Sequence, residues 1–390
     1  MRVDSNFYGS VPMADAGNAG PKPVDRRSGN DDVVACYDNL AHWARTMDTL
    51  GFDTMWLTEH HFQYEGYEVV PNLILFGLHL VNRTERLRLG QMFNVVPQWH
   101  PLRLAEDYAL ADICSGGRMQ FGVGRGTVPR EAETLGAVVA SGDNALSREA
   151  DRVNREMFEE AMTVIRAAWA GERFSFSGKH YTFPPPGIPD RGSTVQQLTL
   201  IPRPLRPVDI YQAVSSPATL DYVAAQGYHG VFANQHPTKL EPRWNEFGEK
   251  AAAAGHDWGR GGGRVLVINV HIGPTREEAF RTARDPHDEF ARFLAPYGRF
   301  AGYLGKEYKT ALGYQPTLEE SVEQRIMAIG SVDDVVDTLG MWRDLLGLEH
   351  LCCFFDMPGL TREQLDEQLH LFAGEVAPRL GISLDGPAGD

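Results

Sequence analysis

Apolar and polar positions along the chain switch between a strand rhythm and a helix rhythm. The forty residues from Leu87 to Gly126, LRLGQMFNVVPQWHPLRLAEDYALADICSGGRMQFGVGRG, hold one full cycle. Leu87 to Val96 is a run of β-compatible apolar residues. Pro97, His100 and Pro101 break it and open a helix where a missing amide costs nothing. Leu102, Ala105, Ala109, Leu110 and Ile113 then fall on one stripe at helical spacing, with Arg103, Glu106, Asp107 and Asp112 largely off it. Ser115, Gly116 and Gly117 stop the helix, and Arg118 to Gly124 is a second short apolar strand. Two strands joined through an amphipathic helix lie parallel, with a right-handed crossover.

The cycle recurs from end to end. Further strands are predicted at Ser5 to Tyr8, Asp53 to Thr58, Val208 to Val214, Gly230 to Ala233, Arg264 to His271 and Glu349 to Asp356. Asp31 and Asp32 cap a helix whose Val33, Tyr37, Leu40, Ala44 and Met47 share a face and which Gly51 ends. Other helices are predicted over 70–81, 147–170, 215–226, 238–254 and 361–380, with a loop between Gly126 and Ser147 in which Thr127, Val128 and Pro129 begin no helix. The Gly, Pro, Asp and Asn-rich remainder of residues 1–30 reads as a lid or a disordered loop. Residues 171–207 form a Pro and Gly-rich surface insertion with a small hairpin, and Thr275 to Leu346 holds several helices and no strand. Eight strand–helix units predict a (β/α)8 TIM barrel. The barrel is read as a single domain over 1–390, with insertions at about 171–207 and 273–346, the second one helical and following strand seven.

Charge and composition narrow the partners. Fifty-two acidic against 37 basic side chains give a formal charge of -15, which argues against duplex nucleic acid or an anionic membrane as main partner. The apolar stretches fall far short of the roughly 20 residues of a membrane helix. MRVDSNFYGS has no charged-then-apolar signal pattern, so a cytoplasmic protein is expected. Cys36, Cys114, Cys352 and Cys353 form no CxxC pair and read as reduced core thiols.

Barrel enzymes build their sites at the carboxyl ends of the strands. Gathered there are Glu59, His60 and His61 after strand two, Phe93 and Asn94 in strand three, Gly124 to Gly126 after strand four, and Ser215, Ser216 and Thr219 after strand five. Ser216 and Thr219 stand at a helix N-terminus, where free amides and hydroxyls favour an anion, and Arg125 sits on a glycine-flanked loop. With Arg152, near the start of the long helix, they would form one dianion pocket; a solvated helix face is the plainer reading of Arg152, and tight turning that of the glycines. A histidine titrates near neutrality and serves as base, acid or hydrogen-bond donor, so His60 and His61 after a glutamate are candidates for proton work. No His-x-His or His-Glu-x-x-His spacing marks a metal site, and a metal-dependent hydrolase would have to draw on His229, His271 and Asp356.

The run GFDTMWLTEHHF from Gly51 to Phe62, the stretch from Leu87 to Gly126 and the C-terminal IGSVDDVVDTL resemble the luciferase-like flavin-dependent monooxygenases, whose best-known member is bacterial luciferase. The similarity spans about residues 33 to 380. It implies the same barrel, a homodimer, and reduced FMN delivered by a separate reductase. The reduced flavin would react with O2 to a flavin C4a-peroxide that oxidises a small organic substrate. His60 matches the family's catalytic base or peroxide partner, and Arg125, Arg152, Ser216 and Thr219 match the positions that hold the FMN phosphate. Met92, Phe93 and Asn94 match the stretch beneath the isoalloxazine, where the family often has a non-proline cis peptide. Two positions depart. Gly124 stands where luciferase has a reactive cysteine, and Ser215 replaces an acidic residue beside the phosphate, so light emission is not implied. An F420-dependent dehydrogenase on the same barrel and a non-catalytic flavin-binding subunit are the alternatives closest to this reading.

Overall fold

Strand β1 (Arg2–Phe7) lies parallel to β2 (Thr54–Leu57), and pairing continues through β3 (Arg88–Gln91), β4 (Met119–Gly124), β5 (Ile210–Ala213), β6 (His229–Ala233), β7 (Arg264–Gly273) and β8 (His350–Phe354), which returns to β1. The circuit is a closed eight-stranded parallel barrel, as the alternating pattern predicts. This computed structural model describes residues 1–139, 145–233, 235–300, 302–305, 310–311 and 313–387.

Side chains along each strand point alternately in and out, and the chain uses both sides. Val3, Phe7, Met55, Leu57, Leu89, Phe121, Val123, Leu266 and Ile268 join the helices in one large core. Trp56, Met92, Tyr211, Val231, Val265 and Cys352 form a separate apolar cluster inside the barrel, with Phe93 packed on it. Below that cluster the amino end is closed by charge. Arg2 pairs with Asp4 at 3.1 Å and Asp53 at 2.8 Å, while Asp4 Oδ2 accepts from Trp56 Nε1 and lies 2.6 Å from His350 Nε2. Burial opposes the Asp4 charge, but Arg2 and His350 outweigh it and hold the carboxyl down at about 2.

Helix α1 (Asn30–Leu50) ends on Gly51 at φ 86°, and α2 (Leu73–Val81) and α3 (Pro101–Ser115) follow. The next element departs from the predicted loop: Pro129–Thr134 is a short helix, α4, with Pro129 in its first turn. PREAET carries no apolar stripe, so periodicity had nothing to register. Helices α5 (Ala145–Ala170), α6 (Pro217–Gln226) and α7 (Pro237–Ala253) lie where spacing puts them. Between α5 and β5 there are two small hairpins rather than one, Phe176–Ser177 with Thr182–Phe183 and Pro189–Asp190 with Ser193–Thr194.

The region after β7 also differs from its prediction. Helices α8 (Arg276–Leu294), α9 (Leu318–Glu323) and α10 (Val332–Leu346) are present, but Met327–Ser331 is a strand. Strand β7 is ten residues long and changes partner midway: Leu266 to Asn269 pair with β8, and Asn269 to Gly273 pair with Met327–Ser331. MAIGS is too poor in β-branched residues to announce itself; the exposed edge of β7 recruits it. The N-terminal segment is strapped down rather than loose. Buried Glu289 on α8 accepts from the Gly17 amide at 2.8 Å, from Arg26 Nε at 2.9 Å and from the Tyr67 hydroxyl.

Candidate active site at the barrel mouth

The loop leaving β2 carries His60 to the carboxyl end of the barrel, where two carboxylates meet its ring. Nδ1 lies 3.0 and 3.2 Å from the two carboxyl oxygens of Glu131 on α4, and Nε2 lies 3.2 Å from Glu68 Oε2. Gln63 Nε2 donates to Glu131 Oε1 at 2.5 Å, on the same oxygen that lies nearest the His60 ring. Burial pulls the imidazole down, but the Glu68 charge, then the hydrogen bond and charge of Glu131, outweigh it and leave His60 raised. Burial pushes the Glu68 carboxyl up, with His60 and Arg299 only partly opposing. Phe62 at φ 58° and Glu68 at φ 50° bracket this loop in the left-handed region, which L residues rarely adopt.

The neighbours of His60 in sequence serve a different purpose. Glu59 accepts from the Val95 amide at 3.0 Å and from Trp99 Nε1 at 3.0 Å, and His61 Nε2 lies 3.0 Å from the same carboxylate. These two residues pin the segment that follows β3. That segment contains a cis peptide bond between Met92 and Phe93, at the place the resemblance implies.

The glycines of β4 make room for that segment. A Cβ at Gly122 would stand 1.8 Å from the Gln91 carbonyl oxygen and 3.2 Å from the Phe93 ring, and one at Gly124 would stand 3.2 Å from Phe93 Cβ. The spacing of Gly122 and Gly124 is therefore a cradle for Phe93, which a cysteine at 124 would crowd. Asn94 Nδ2 donates to the Gly122 carbonyl at 3.0 Å, while its Oδ1 is buried without a partner. Asn6 Oδ1 and Asn269 Nδ2 are in the same condition. Both residues align with Phe354 in the strand register, and their alternation places them inside the barrel, above the apolar cluster. Buried polar atoms normally find partners, so those left over mark where one is expected.

Of the anticipated anion pocket, the only hydrogen bonds among the described residues that join its members are those between Ser216 and Thr219. Arg125 Nη1 donates to Asp151 Oδ1 at 2.8 Å and Asn154 Oδ1 at 3.3 Å, tying the end of β4 to α5. Ser216 caps α6: its hydroxyl accepts the Thr219 amide at 3.2 Å and lies 3.0 Å from the Thr219 hydroxyl, beside an exposed Ser215. Arg152 is turned elsewhere. It stands about 100° around α5 from Asp151. It pairs with Glu149 and Glu156 in a surface network with Lys179 and His180, and its side chain is 48% exposed. Among the described residues no hydrogen bond or ion pair joins Arg152 to Arg125, Ser216 or Thr219.

The residues weighed as metal ligands are not brought together. His229 stacks on Tyr211 at 4.5 Å, His271 Nε2 lies 2.8 Å from Thr282 Oγ1, and Asp356 Oδ2 accepts the Gly9 amide at 2.9 Å. Among the described residues no three His, Cys, Asp or Glu side chains are placed to hold a metal ion. All four cysteines are free, and Cys114 is exposed rather than in the core. No helix among the described residues is long and apolar enough to cross a membrane. Sequence reasoning missed Glu68, Glu131, Asn6 and Asn269. Pro129 after a glycine-rich loop was the one signal for the helix that carries Glu131.

Residues 21–349 match the sequence profile of the luciferase-like monooxygenases. The oxygenase component of the flavin-dependent trigonelline monooxygenase of Acinetobacter baylyi is 28% identical over 371 residues, covering 92% of this chain and 94% of that protein. An F420-dependent glucose-6-phosphate dehydrogenase of Microbacterium testaceum is 26% identical over 344 residues, 85% of this chain and 90% of that protein. In fold, the chain is similar to the oxygenating constituent of 3,6-diketocamphane monooxygenase from the CAM plasmid of Pseudomonas putida, a type II Baeyer–Villiger monooxygenase solved with FMN. The TM-score is 0.74 at 20% identity, over 97% of this chain and 98% of that one. The profile match runs through the His60 loop, the Phe93 cradle and the α6 cap alike, and on that length of agreement the chain belongs to the luciferase-like monooxygenase family and is an enzyme.

Proposed function

We propose that the protein is the oxygenating partner of a separate flavin reductase, and that it binds reduced FMN in the barrel mouth to oxidise a small organic substrate with O2. The observation that carries the reading is the set of buried polar atoms without partners, Asn6 Oδ1, Asn94 Oδ1 and Asn269 Nδ2, above the apolar barrel cluster on which Phe93 packs against the glycines of β4. A flat ring edged with carbonyl and N–H groups suits an apolar shelf with free amide donors and acceptors at its rim. Arg125, with Ser216 and Thr219 at the start of α6, would hold the phosphate; Arg152 would join them on giving up Glu149 and Glu156. Reduced flavin bound there supplies the electrons that activate O2.

The chain's own part is to orient the ring on Phe93, to shield the mouth from water and to keep a protic group beside it. His60 is that group, held by Glu131 at 3.0 Å. The relatedness to an F420-dependent dehydrogenase favours one second reading, hydride transfer with a deazaflavin in the same mouth. Anaerobic titration with photoreduced FMN and with reduced F420, followed by admission of O2 in stopped flow, separates the two. Tight binding of reduced FMN and reoxidation slower than that of the free flavin are expected. Preference for F420 would replace the proposal with the second reading.

A further inference from the structure

Both ring nitrogens of His60 face carboxylates, and that arrangement constrains its chemistry. A neutral imidazole offers one donor and one acceptor, so one of its two carboxylate contacts would set lone pair against lone pair. Protonation at both nitrogens turns each contact into an attraction. We propose that Glu68 is a positioning residue of this site: together with Glu131 it brackets His60, which works as a doubly protonated hydrogen-bond donor rather than as a base. The inference rests on His60 being the protic group of the reaction proposed above.

Glu68 is held in place from several directions. The adjoining Tyr67 is fully buried, stacks on Phe293 at 4.1 Å and donates its hydroxyl to Glu289. Glu289 also anchors the N-terminal strap through Gly17 and Arg26, so the strap, α8 and the His60 loop lock together at one carboxylate. A left-handed backbone at a non-glycine residue persists only where its surroundings over-determine it, and Glu68 at φ 50° meets that condition. Its carboxylate is buried, at 4% exposure, and reaches His60 Nε2 at 3.2 Å.

The remaining charges around the pair do not reverse the balance. Arg299, from beyond α8, acts against a charged His60 as the weakest of the influences upon it, whereas both carboxylates stand within 3.2 Å of the ring. Tyr8 and Asp356 face Glu68, and Tyr297 faces both carboxylates. Burial pushes the Tyr8 and Tyr297 phenols up, so they add no negative charge near neutral pH; it raises Asp356 to about 6, which leaves that carboxyl mostly ionised there and adds to the negative charge on the Glu68 side of the ring. The raised direction for His60 agrees with a proton kept on its ring.

The test is nitrogen NMR of the full-length, flavin-free protein labelled with 15N-histidine, with the His60 signals assigned by their loss in His60→Gln. Both ring nitrogens are expected at imidazolium shifts at neutral pH. Glu68→Gln and Glu131→Gln should each lower the titration midpoint by about 1–2 pH units. Glu131→Asp, which keeps the charge on a shorter arm, should recover part of the loss, and Glu278→Gln at a surface pair with Arg281 should leave the midpoint alone. A wild-type His60 that is neutral at pH 7 overturns the proposal, as does a midpoint that neither Gln variant moves; a shift in Glu131→Gln alone removes Glu68 from it. No flavin is present, so the outcome is independent of which cofactor the mouth takes.

Discussion

Replacing Arg125 by alanine tests the phosphate contact proposed for it, apart from everything else the mouth would contribute to flavin binding. The guanidinium is oriented before any ligand arrives, by Asp151 at 2.8 Å and Asn154 at 3.3 Å, and its side chain remains 20% exposed, so a further acceptor can reach it. A hydrogen bond to a charged group contributes about 1.5–3 kcal/mol net, and each 1.4 kcal/mol is a factor of about ten in affinity. Arg125→Ala is therefore expected to weaken reduced FMN by about 10- to 150-fold. Riboflavin has the same ring and no phosphate, so it registers only the loosening of the β4–α5 tie, which both ligands feel. The ratio of the two losses isolates the phosphate. Anaerobic titrations followed by flavin absorbance measure both constants. Equal losses for FMN and riboflavin would refute the phosphate role. Arg152→Ala provides the internal comparison: its side chain is already engaged by Glu149 and Glu156, so it should cost FMN less than Arg125→Ala does.

Three further outcomes are expected. His60→Ala should lower turnover by about 10²–10⁴-fold with flavin affinity nearly intact, as positioned proton donors do; unchanged turnover would remove His60 from the mechanism. Asp4→Asn removes the buried carboxylate that Arg2 shares with Asp53 and that accepts from Trp56, and should cost about 1–3 kcal/mol in urea unfolding at neutral pH. Because the folded Asp4 carboxyl is depressed to about 2, its contribution is complete above the unfolded value of about 3.9 and fades only as pH falls through 2; a variant as stable as the parent at neutral pH would contradict the charge plug. Gly122→Ala places a Cβ 1.8 Å from the Gln91 carbonyl oxygen, which is backbone and cannot swing aside. It should lose about 1–3 kcal/mol and flavin affinity together, and an unaltered unfolding midpoint would show that the cradle yields.

The eight strands, their parallel order and most helices were legible because each is a local matter. Pro101 opens α3 and Gly116 ends it at φ 68°, and alternation within a strand sets which side chains face the helices. Such signals lie within a few residues of what they specify. The family resemblance was legible for the same reason, since GFDTMWLTEHHF and the Leu87 to Gly126 stretch are contiguous. Even the Ser216 and Thr219 pair could be read, as a helix cap needs only three residues.

Contacts between distant segments were decided by the tertiary structure alone. Met327–Ser331 is a strand because β7 outlasts β8 and leaves an edge to pair; nothing within MAIGS requires it. Arg152 reads as an anion ligand by position in sequence, yet one step of helical rotation turns it from the Arg125 side to its own helix's glutamates. His60 could be singled out from EHHF, but the carboxylates that meet its ring are Glu131, 71 positions on in the chain, and Glu68, whose loop is held by Glu289 on α8. The sequence by itself determined the barrel and the family, and it singled out His60 as the candidate for proton work. Which charges surround that residue came from packing, because electrostatic environment is set by distance in space and by burial, neither of which is written at any single position.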